Sequence, residues 1–176
     1  IIGLGNPGPK YSKNRHNFGF MAIDEFAKKH NYEFTQSKQF NALVSNNQND
    51  IILVKPLTFM NESGLAAQRI AHFYKVLPEN CLVLFDELDV PLGKIKIRKN
   101  GGPGTHNGMK SMVKHLGENF PRFRLGIESR GVTAPQKQDT HSFVLDNFNQ
   151  EEEKIAHETL NNAVQALELA MDKGIE

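Results

Sequence analysis

The sequence predicts an α/β fold in which helices flank a β-sheet, formed as a single domain over residues 1–176. Short apolar runs alternate along the chain with segments of helical period, which is typical of this class. The chain has 176 residues, 39% of them hydrophobic, which is enough for one core and few for two. Its apolar runs are far shorter than the roughly 20 residues of a membrane-spanning helix, so we expect no membrane association.

Buried strands are predicted at residues 1–4, 51–54 and 82–85, where the apolar runs occur. Residues 94–98 and 122–127 alternate charged and apolar side chains, which predicts two further strands whose charged faces point to solvent. Residues 36–50 and 131–140 show neither pattern and are predicted to be loops.

Four segments of helical period predict helices. The first begins near Asn17, the third follows Thr105 as its N-cap, and Gly117 ends the third. The last helix opens with three carboxylates at residues 151–153, at the positive end of its dipole. Each predicted helix has an apolar stripe that should face the core. The positions of the four stripes are Phe18, Met21, Ala22 and Phe26; Ala66, Ile70, Phe73 and Leu77; Met109, Met112, Val113 and Leu116; and Ile155, Leu160, Val164, Leu167 and Met171.

Charge is nearly balanced over the chain but uneven along it. The 21 Lys and Arg residues against 20 Asp and Glu give a formal charge of +1, which excludes polyanion binding driven by net charge. Between residues 94 and 124, however, eight basic residues accompany only one acidic residue, so a polyanion would be bound locally. The single cysteine, Cys81, excludes an internal disulfide and favours a reducing, cytoplasmic setting.

Polar side chains gather after the predicted strands, at the edge where open α/β sheets place their functional crevice. Asn6 follows the first run, Asn61 lies at a helix start after the second, and Asp86 follows the third. His106 and Asn107 fall in the first turn of the third helix, where free backbone N–H groups favour an anion or a developing oxyanion.

His16, at the end of the first loop, completes a set suited to hydrolysis by an activated water. A histidine can take the proton of the water, a carboxylate such as Asp86 can fix the tautomer of the ring, and amides can bind a carbonyl oxygen.

A dinucleotide site is the first alternative, because Gly3, Gly5 and Gly8 have the spacing of its fingerprint. That site needs a helix that begins on the third glycine, and residues 9–14 carry no helical apolar pattern. A serine nucleophile lacks the G-x-S-x-G elbow.

A metal site is the second alternative, formed by His16, His106, Asp86 and Asp89. No H-x-x-x-H pair and no H-E-x-x-H motif supports it, so we expect no bound metal.

The same polar residues also have purely structural explanations. Asn6 could form a turn, Asn61 could cap a helix, and Asp86 could cap a loop. The basic strands could be a solvated face without a ligand.

The ordered motifs along the chain are specific enough to identify a resemblance. They are GLGNPG at residues 3–8, Tyr11, RHN at 15–17, KP at 55–56, FMNESG at 59–64, DELD at 86–89, HNG at 106–108 and FVL at 143–145. In these motifs the sequence resembles bacterial peptidyl-tRNA hydrolases. The resemblance implies a twisted, mixed β-sheet flanked by helices, and hydrolysis of the ester between a peptide and tRNA without a metal or another cofactor.

The resemblance also implies a role for each site residue. It assigns catalysis to His16 with Asp86 and Asn6, contacts with the peptide and the ester to Tyr11, Met60, Asn61, His106 and Asn107, and contact with a tRNA phosphate to Arg98 and Arg124. Pro103 and Thr105 depart from the usual glycine-rich loop before His106, and Glu128 replaces a usual glycine. The expected partner is peptidyl-tRNA, and the expected state is a cytoplasmic monomer.

The rival class is a non-catalytic RNA-binding α/β module. Such a protein would use the basic strands and the start of the third helix as a phosphate site, and it would bind tRNA without cleaving an ester. Only the catalytic hypothesis requires His16, Asp86 and the amides to converge.

Overall fold

The computed structural model describes residues 1–46 and 50–175, and within these ranges it contains one seven-stranded sheet and five α-helices. The strands are β1 (Ile2–Gly3), β2 (Phe34–Ser37), β3 (Ala42–Ser45), β4 (Val54–Pro56), β5 (Val83–Pro91), β6 (Ile95–Arg98) and β7 (Arg122–Glu128). The helices are α1 (Phe18–His30), α2 (Ser63–Tyr74), α3 (Asn107–Leu116), α4 (Thr140–Leu145) and α5 (Gln150–Lys173).

The sheet is mixed, with the strand order β2-β3-β4-β1-β5-β7-β6. Strands β4, β1, β5 and β7 are parallel to one another, so their carboxyl ends meet at one edge. Strands β2, β3 and β6 add antiparallel partners on the two sides. The predicted α/β architecture is confirmed.

Helices cover both faces of the sheet. On one face α1 and α5 pack against apolar side chains that include Leu84 and Phe123, and on the other α2 and α3 pack against Val83 and Phe85. Consecutive residues of β5 therefore face two different cores, which is why its sequence contains a continuous apolar run. In β7, by contrast, Phe123, Leu125 and Ile127 all belong to one core and alternate with other residues. Among the described residues, no helix is both long and apolar enough to cross a lipid bilayer.

Two strands lie in a segment that was predicted to be a loop. Strands β2 and β3 form an antiparallel hairpin at the edge of the sheet, within the predicted loop at 36–50 and just before it. Strand β2 is only partly buried, so its sequence lacks the apolar pattern that marks a core strand. Residues 47–49 of the predicted loop lie outside the described residues.

Several local predictions are wrong. The strand predicted at 51–54 is β4, which covers Val54–Pro56 instead, and Ile155 and Met171 of the predicted last stripe are exposed. His106, not Thr105, is the N-cap of α3, since its side chain accepts a hydrogen bond from the backbone of Met109. Helix α2 ends at Tyr74, so Leu77 lies beyond it, and both Phe73 and Leu77 are more than half exposed rather than part of the core stripe. The side chain of Arg122 does not face solvent, and the residue is 3% exposed.

The approach of α1 to the sheet places the loop before it close to β5. A Cβ atom on Gly19 would collide with the backbone of Leu84 and of Leu4, so only glycine permits this approach. Because α1 begins at Phe18 and not at Gly8, the geometry required for a dinucleotide fingerprint is absent from this first loop.

Candidate active site

One cleft of about 610 Å³ lies at the carboxyl ends of the parallel strands. All eight residues predicted for catalysis and for contact with the peptide and ester line it: Asn6, Tyr11, His16, Met60, Asn61, Asp86, His106 and Asn107. They come from separate stretches of the chain, which meet because β1, β4 and β5 are parallel neighbours.

His16 and Asp86 form the central pair of the cleft. His16 lies on a short 3-10 helix (Arg15–Asn17) just before α1, and Asp86 lies within β5 rather than after it. The Nδ1 atom of His16 is 2.9 Å from Oδ2 and 3.0 Å from Oδ1 of Asp86. An ionised carboxylate can only accept, so Nδ1 carries the proton and Nε2 is left as the basic nitrogen.

The same carboxylate binds a second imidazole. Nε2 of His106 lies 2.8 Å from Oδ1 of Asp86. The tautomer of His106 follows from its other nitrogen, because Nδ1 accepts the backbone N–H of Met109 at 3.2 Å and therefore carries no proton. Asp86 thus shares its negative charge between two rings whose centroids are 4.9 Å apart.

Burial and charge act in opposite directions on this pair. Burial disfavours protonation of His16, but the attraction and hydrogen bond of Asp86 outweigh it and raise the pKa of His16 above its ordinary value. Burial would raise the pKa of Asp86, yet the attraction of His16 and His106 and their hydrogen bonds hold it well below the usual range. Asp86 is therefore ionised at neutral pH, although it is 1% exposed.

Asn6 is held so that its amide nitrogen remains a donor. Its Oδ1 accepts the backbone N–H of Met60 at 2.9 Å, and its own backbone is bound on both sides by the side chain of Asn17. Because a backbone N–H can only donate, the carbonyl end of the Asn6 amide is fixed and Nδ2 is left to donate to another group. Sequence analysis assigned no role to Asn17.

The other two asparagines are more accessible. Asn61 lies in a short 3-10 helix (Met60–Glu62) and Asn107 is the first residue of α3, and both are exposed. Asn61 is not a helix cap, since the caps of the 3-10 helix and of α2 are Phe59 and Glu62. The structural explanation offered for Asn61 is therefore wrong.

The loop that carries His16 is fixed by a buried ion pair. Nη2 of Arg15 is 2.5 Å from Oε2 of Glu152, and the two side chains are 4% and 0% exposed. Glu152 also accepts hydrogen bonds from Ser129, Thr133 and the backbone of Asn149. This network joins the His16 loop to the start of α5 and to the chain after β7.

Arg98 and Arg124 lie outside the main cleft and line a neighbouring cavity of about 230 Å³. Glu87 borders both spaces. Arg122 also lines the second cavity, and it donates to the backbone oxygens of Gly102, Glu118 and Phe120. Arg122 therefore anchors the loop that leads to α3.

His16, Asp86 and His106 are also, among the described residues, the one cluster whose donor atoms could hold a metal ion. The predicted fourth ligand, Asp89, lies in the second cavity instead. The contacts of 2.8–3.0 Å are hydrogen-bond distances. Two nitrogen or oxygen ligands of a tetrahedral zinc lie roughly 3.3 Å apart, which is farther than these contacts. The distances therefore favour hydrogen bonding between the three side chains over metal binding.

The cleft has a wall that sequence analysis missed. Phe59 lies on one side of it, and Thr140, His141, Val144 and Leu145 of α4 lie on another. The available signal was a motif in each case, FMNESG for Phe59 and FVL for Val144 and Leu145. Helix α4 itself has six residues, which are too few to show a helical period.

Comparison with known proteins gives consistent results. The sequence model of one protein family, described as Peptidyl-tRNA hydrolase, matches residues 1–176. The peptidyl-tRNA hydrolase of Alkaliphilus oremlandii is 46% identical over 179 residues, which cover 99% of this chain and 94% of the relative. That of Lactobacillus gasseri is 45% identical over 159 residues, which cover 88% of this chain and 83% of the relative.

Solved structures agree with the sequence comparisons. The crystal structure of peptidyl-tRNA hydrolase from Acinetobacter baumannii superposes with a TM-score of 0.87 at 32% identity. The superposition covers 96% of this chain and 86% of the other.

Proposed function

The chain belongs to the peptidyl-tRNA hydrolase family, and we infer that it hydrolyses the ester bond of peptidyl-tRNA to release free tRNA and peptide. The single observation that carries this inference beyond family membership is the His16–Asp86 contact of 2.9 Å in a cleft lined by asparagines. These are the parts that hydrolysis by an activated water requires.

In the proposed mechanism, Nε2 of His16 removes a proton from a water as the water oxygen attacks the ester carbonyl carbon. Asp86 holds the ring in the tautomer that leaves Nε2 basic and stabilises the imidazolium that forms. The tetrahedral intermediate then breaks its bond to the ribose oxygen, which takes the proton back from Nε2. The products are the tRNA hydroxyl and the peptide carboxylic acid, which releases its remaining proton to solvent and becomes the carboxylate.

The amides supply the remaining contacts. Nδ2 of Asn6 is available to donate to the carbonyl oxygen as negative charge develops there, since the other end of this amide is bound to Met60. Asn107, at the N-terminus of α3, would orient the water and carbonyl, and Asn61 would bind the peptide backbone. Tyr11 and Met60 would form the walls around the ester.

The rival hypothesis of a non-catalytic RNA-binding module is disfavoured. A phosphate site at the basic strands gives no reason for a buried carboxylate to bind two histidines in a separate cleft. Arg98 and Arg124 fit the enzyme as well, because a second cavity beside the cleft can hold a tRNA phosphate while the ester occupies the first.

The test is hydrolysis of N-blocked aminoacyl-tRNA, measured as release of free tRNA with and without a chelator. We expect cleavage in both conditions and a loss of about 10²- to 10⁴-fold in kcat for His16→Ala, with little change in tRNA affinity. His157→Ala, an exposed histidine on α5, is the matched control. Near-normal turnover of His16→Ala would reject the base assignment, and binding without any cleavage by the unaltered protein would support the RNA-binding module.

We also propose that the chain acts as a single domain and as a monomer in the cytoplasm. One chain supplies every side chain of the cleft described above, so a second copy is not needed to complete it. The single buried cysteine suits a reducing compartment, where translation also takes place.

A further inference from the structure

The second cavity concentrates positive charge in a way that requires a counter-ion. In the β6–β7 ladder, Arg98 is paired with Arg122 and Lys96 with Arg124. Like charges directly opposite each other destabilise a pair of strands. The described hydrogen bonds of Arg122 go to backbone oxygens; Glu118 attracts its charge, and Arg124 repels it.

Strand β5, next to β7, supplies the counter-ion. Nε of Arg124 donates to Oε2 of Glu87 at 2.9 Å, and the Glu87 side chain is only 12% exposed. The other oxygen, Oε1, accepts the backbone N–H of Asp89 at 3.2 Å, where the pairing of β5 with β7 becomes irregular. The carboxylate is therefore fixed at both oxygens.

This contact uses one edge of the guanidinium and leaves the other free. Apart from Glu87, the carboxylate within ion-pair distance of Arg124 among the described residues is that of Asp89, 3.9 Å from Nη2 and 83% exposed. The terminal nitrogens thus remain available for a phosphate, which binds arginine best through two parallel N–H donors. Glu87 lies directly after Asp86, so the residue that orients Arg124 is covalently next to the partner of His16.

We propose that Glu87 is a positioning residue that holds Arg124 in the orientation needed to bind a phosphate of the substrate tRNA. The proposal rests on the proposed function. Arginine carries large rotamer entropy, and a side chain fixed before binding loses less of it when the phosphate arrives. Removal of Glu87 therefore has two opposing effects: the cavity becomes more positive, which favours RNA, and Arg124 becomes free, which disfavours it.

The sign of the change in KM separates positioning from simple charge. We expect Glu87→Ala to raise KM for N-blocked aminoacyl-tRNA about 3- to 10-fold with kcat nearly unchanged. Asp89→Ala removes the same charge without removing the fixed contact, so KM should stay constant or fall. Glu87→Gln keeps an acceptor for Nε and should restore much of the affinity. A fall in KM for Glu87→Ala, equal to that of Asp89→Ala, would overturn the proposal.

Two further measurements test whether Glu87 acts through Arg124. In an Arg124→Ala background, Glu87→Ala should change KM less than about twofold, because the residue to be positioned is gone. Cleavage of N-blocked aminoacyl-adenosine, an ester without phosphate, should be the same for Glu87→Ala and the unaltered enzyme. An equal loss with this small ester would show that Glu87 supports Asp86 and not Arg124, which would also overturn the proposal.

A binding measurement keeps this test separate from that of the proposed function. Titration of deacylated tRNA reports on Arg124 whether or not the protein cleaves an ester. We expect Glu87→Ala to weaken this binding about as much as it raises KM, and Asp89→Ala not to weaken it. If the unaltered protein cleaved no ester but Glu87→Ala still weakened binding, the hydrolase function would fail while the role of Glu87 stood.

Discussion

Nδ1 of His16 lies 2.9 Å from Oδ2 of Asp86, and this contact joins a loop before α1 to a central strand of the sheet. It determines both the tautomer of the histidine and the pH at which the ring is neutral. Because the pKa of His16 is raised, its ring becomes protonated, and so inactive as a base, at a higher pH than the ring of an isolated histidine.

Asp86→Asn should shift the pH–rate profile to lower pH and reduce its plateau. Without the carboxylate, burial is the dominant influence on His16 and lowers its pKa. The acidic limb of the profile therefore moves to lower pH. The plateau falls because a less basic ring is a weaker proton acceptor and its tautomer is no longer fixed. The measurement is kcat/KM against pH for both proteins, and an unchanged profile would count against the pairing.

His106→Ala should shift the same limb in the opposite direction. Nε2 of His106 draws on the charge of Asp86, so its removal leaves more of that charge for His16 and raises the pKa of His16. The variant also loses the N-cap of α3, which should cost about 0.5–2 kcal/mol of stability. His115→Ala, also on α3, is the control for the pH–rate profile and for the stability measurement. A shift of the acidic limb to lower pH in His106→Ala would refute the shared-charge explanation.

Loss of both Arg98 and Arg124 should raise KM and flatten its dependence on salt. Each phosphate contact contributes about 0.7–0.9 to the slope of log affinity against log salt, so the double Ala variant should lose about 1.5. Lys28→Ala with Lys154→Ala removes the same number of charges from exposed positions on α1 and α5. If both double variants keep the salt dependence of the unaltered enzyme, the two arginines do not bind a phosphate.

Glu152→Gln should destabilise the fold, although Glu152 itself does not line the cleft. It leaves the buried guanidinium of Arg15 without its ion-pair partner, which typically costs about 3–5 kcal/mol. Urea unfolding at neutral pH measures this loss, and Glu153→Gln, an exposed neighbour, should change stability by less than about 0.5 kcal/mol.

The effect of Glu152 should also depend on pH. Burial acts to raise the pKa of Glu152, but hydrogen bonds from Ser129, Asn149 and Arg15 together lower it below the ordinary 4.5. A carboxylate with a lowered folded pKa stabilises the protein above its unfolded pKa, and this stabilisation is lost as the pH falls through the folded value. The difference between Glu152→Gln and the unaltered protein should therefore shrink below about pH 4.5. A constant difference would show that the ion pair is not its source.

The sequence by itself determined the fold class and identified eight of the sixteen residues that line the cleft. An apolar run marks β5 because its consecutive residues face two cores, and alternation marks β7 because its apolar residues face one. Asn6, His16 and Asn61 stand in motifs that are recognisable without coordinates. Strand β2 of the edge hairpin was not predicted because a half-exposed strand needs little apolar patterning.

The pairing of His16 with Asp86 was predicted, but only the tertiary structure decided that His106 shares the same carboxylate. Asp86 is separated from His16 by 70 residues and from His106 by 20, and no pattern in the sequence states that one carboxylate binds both rings. Likewise, an alternating strand predicts that Arg122 and Arg124 share a face, but the buried position of Arg122 depends on the loop folded over it. The physical reason is that periodicity reports which side of an element is buried, whereas partners are selected by the packing of elements distant in sequence.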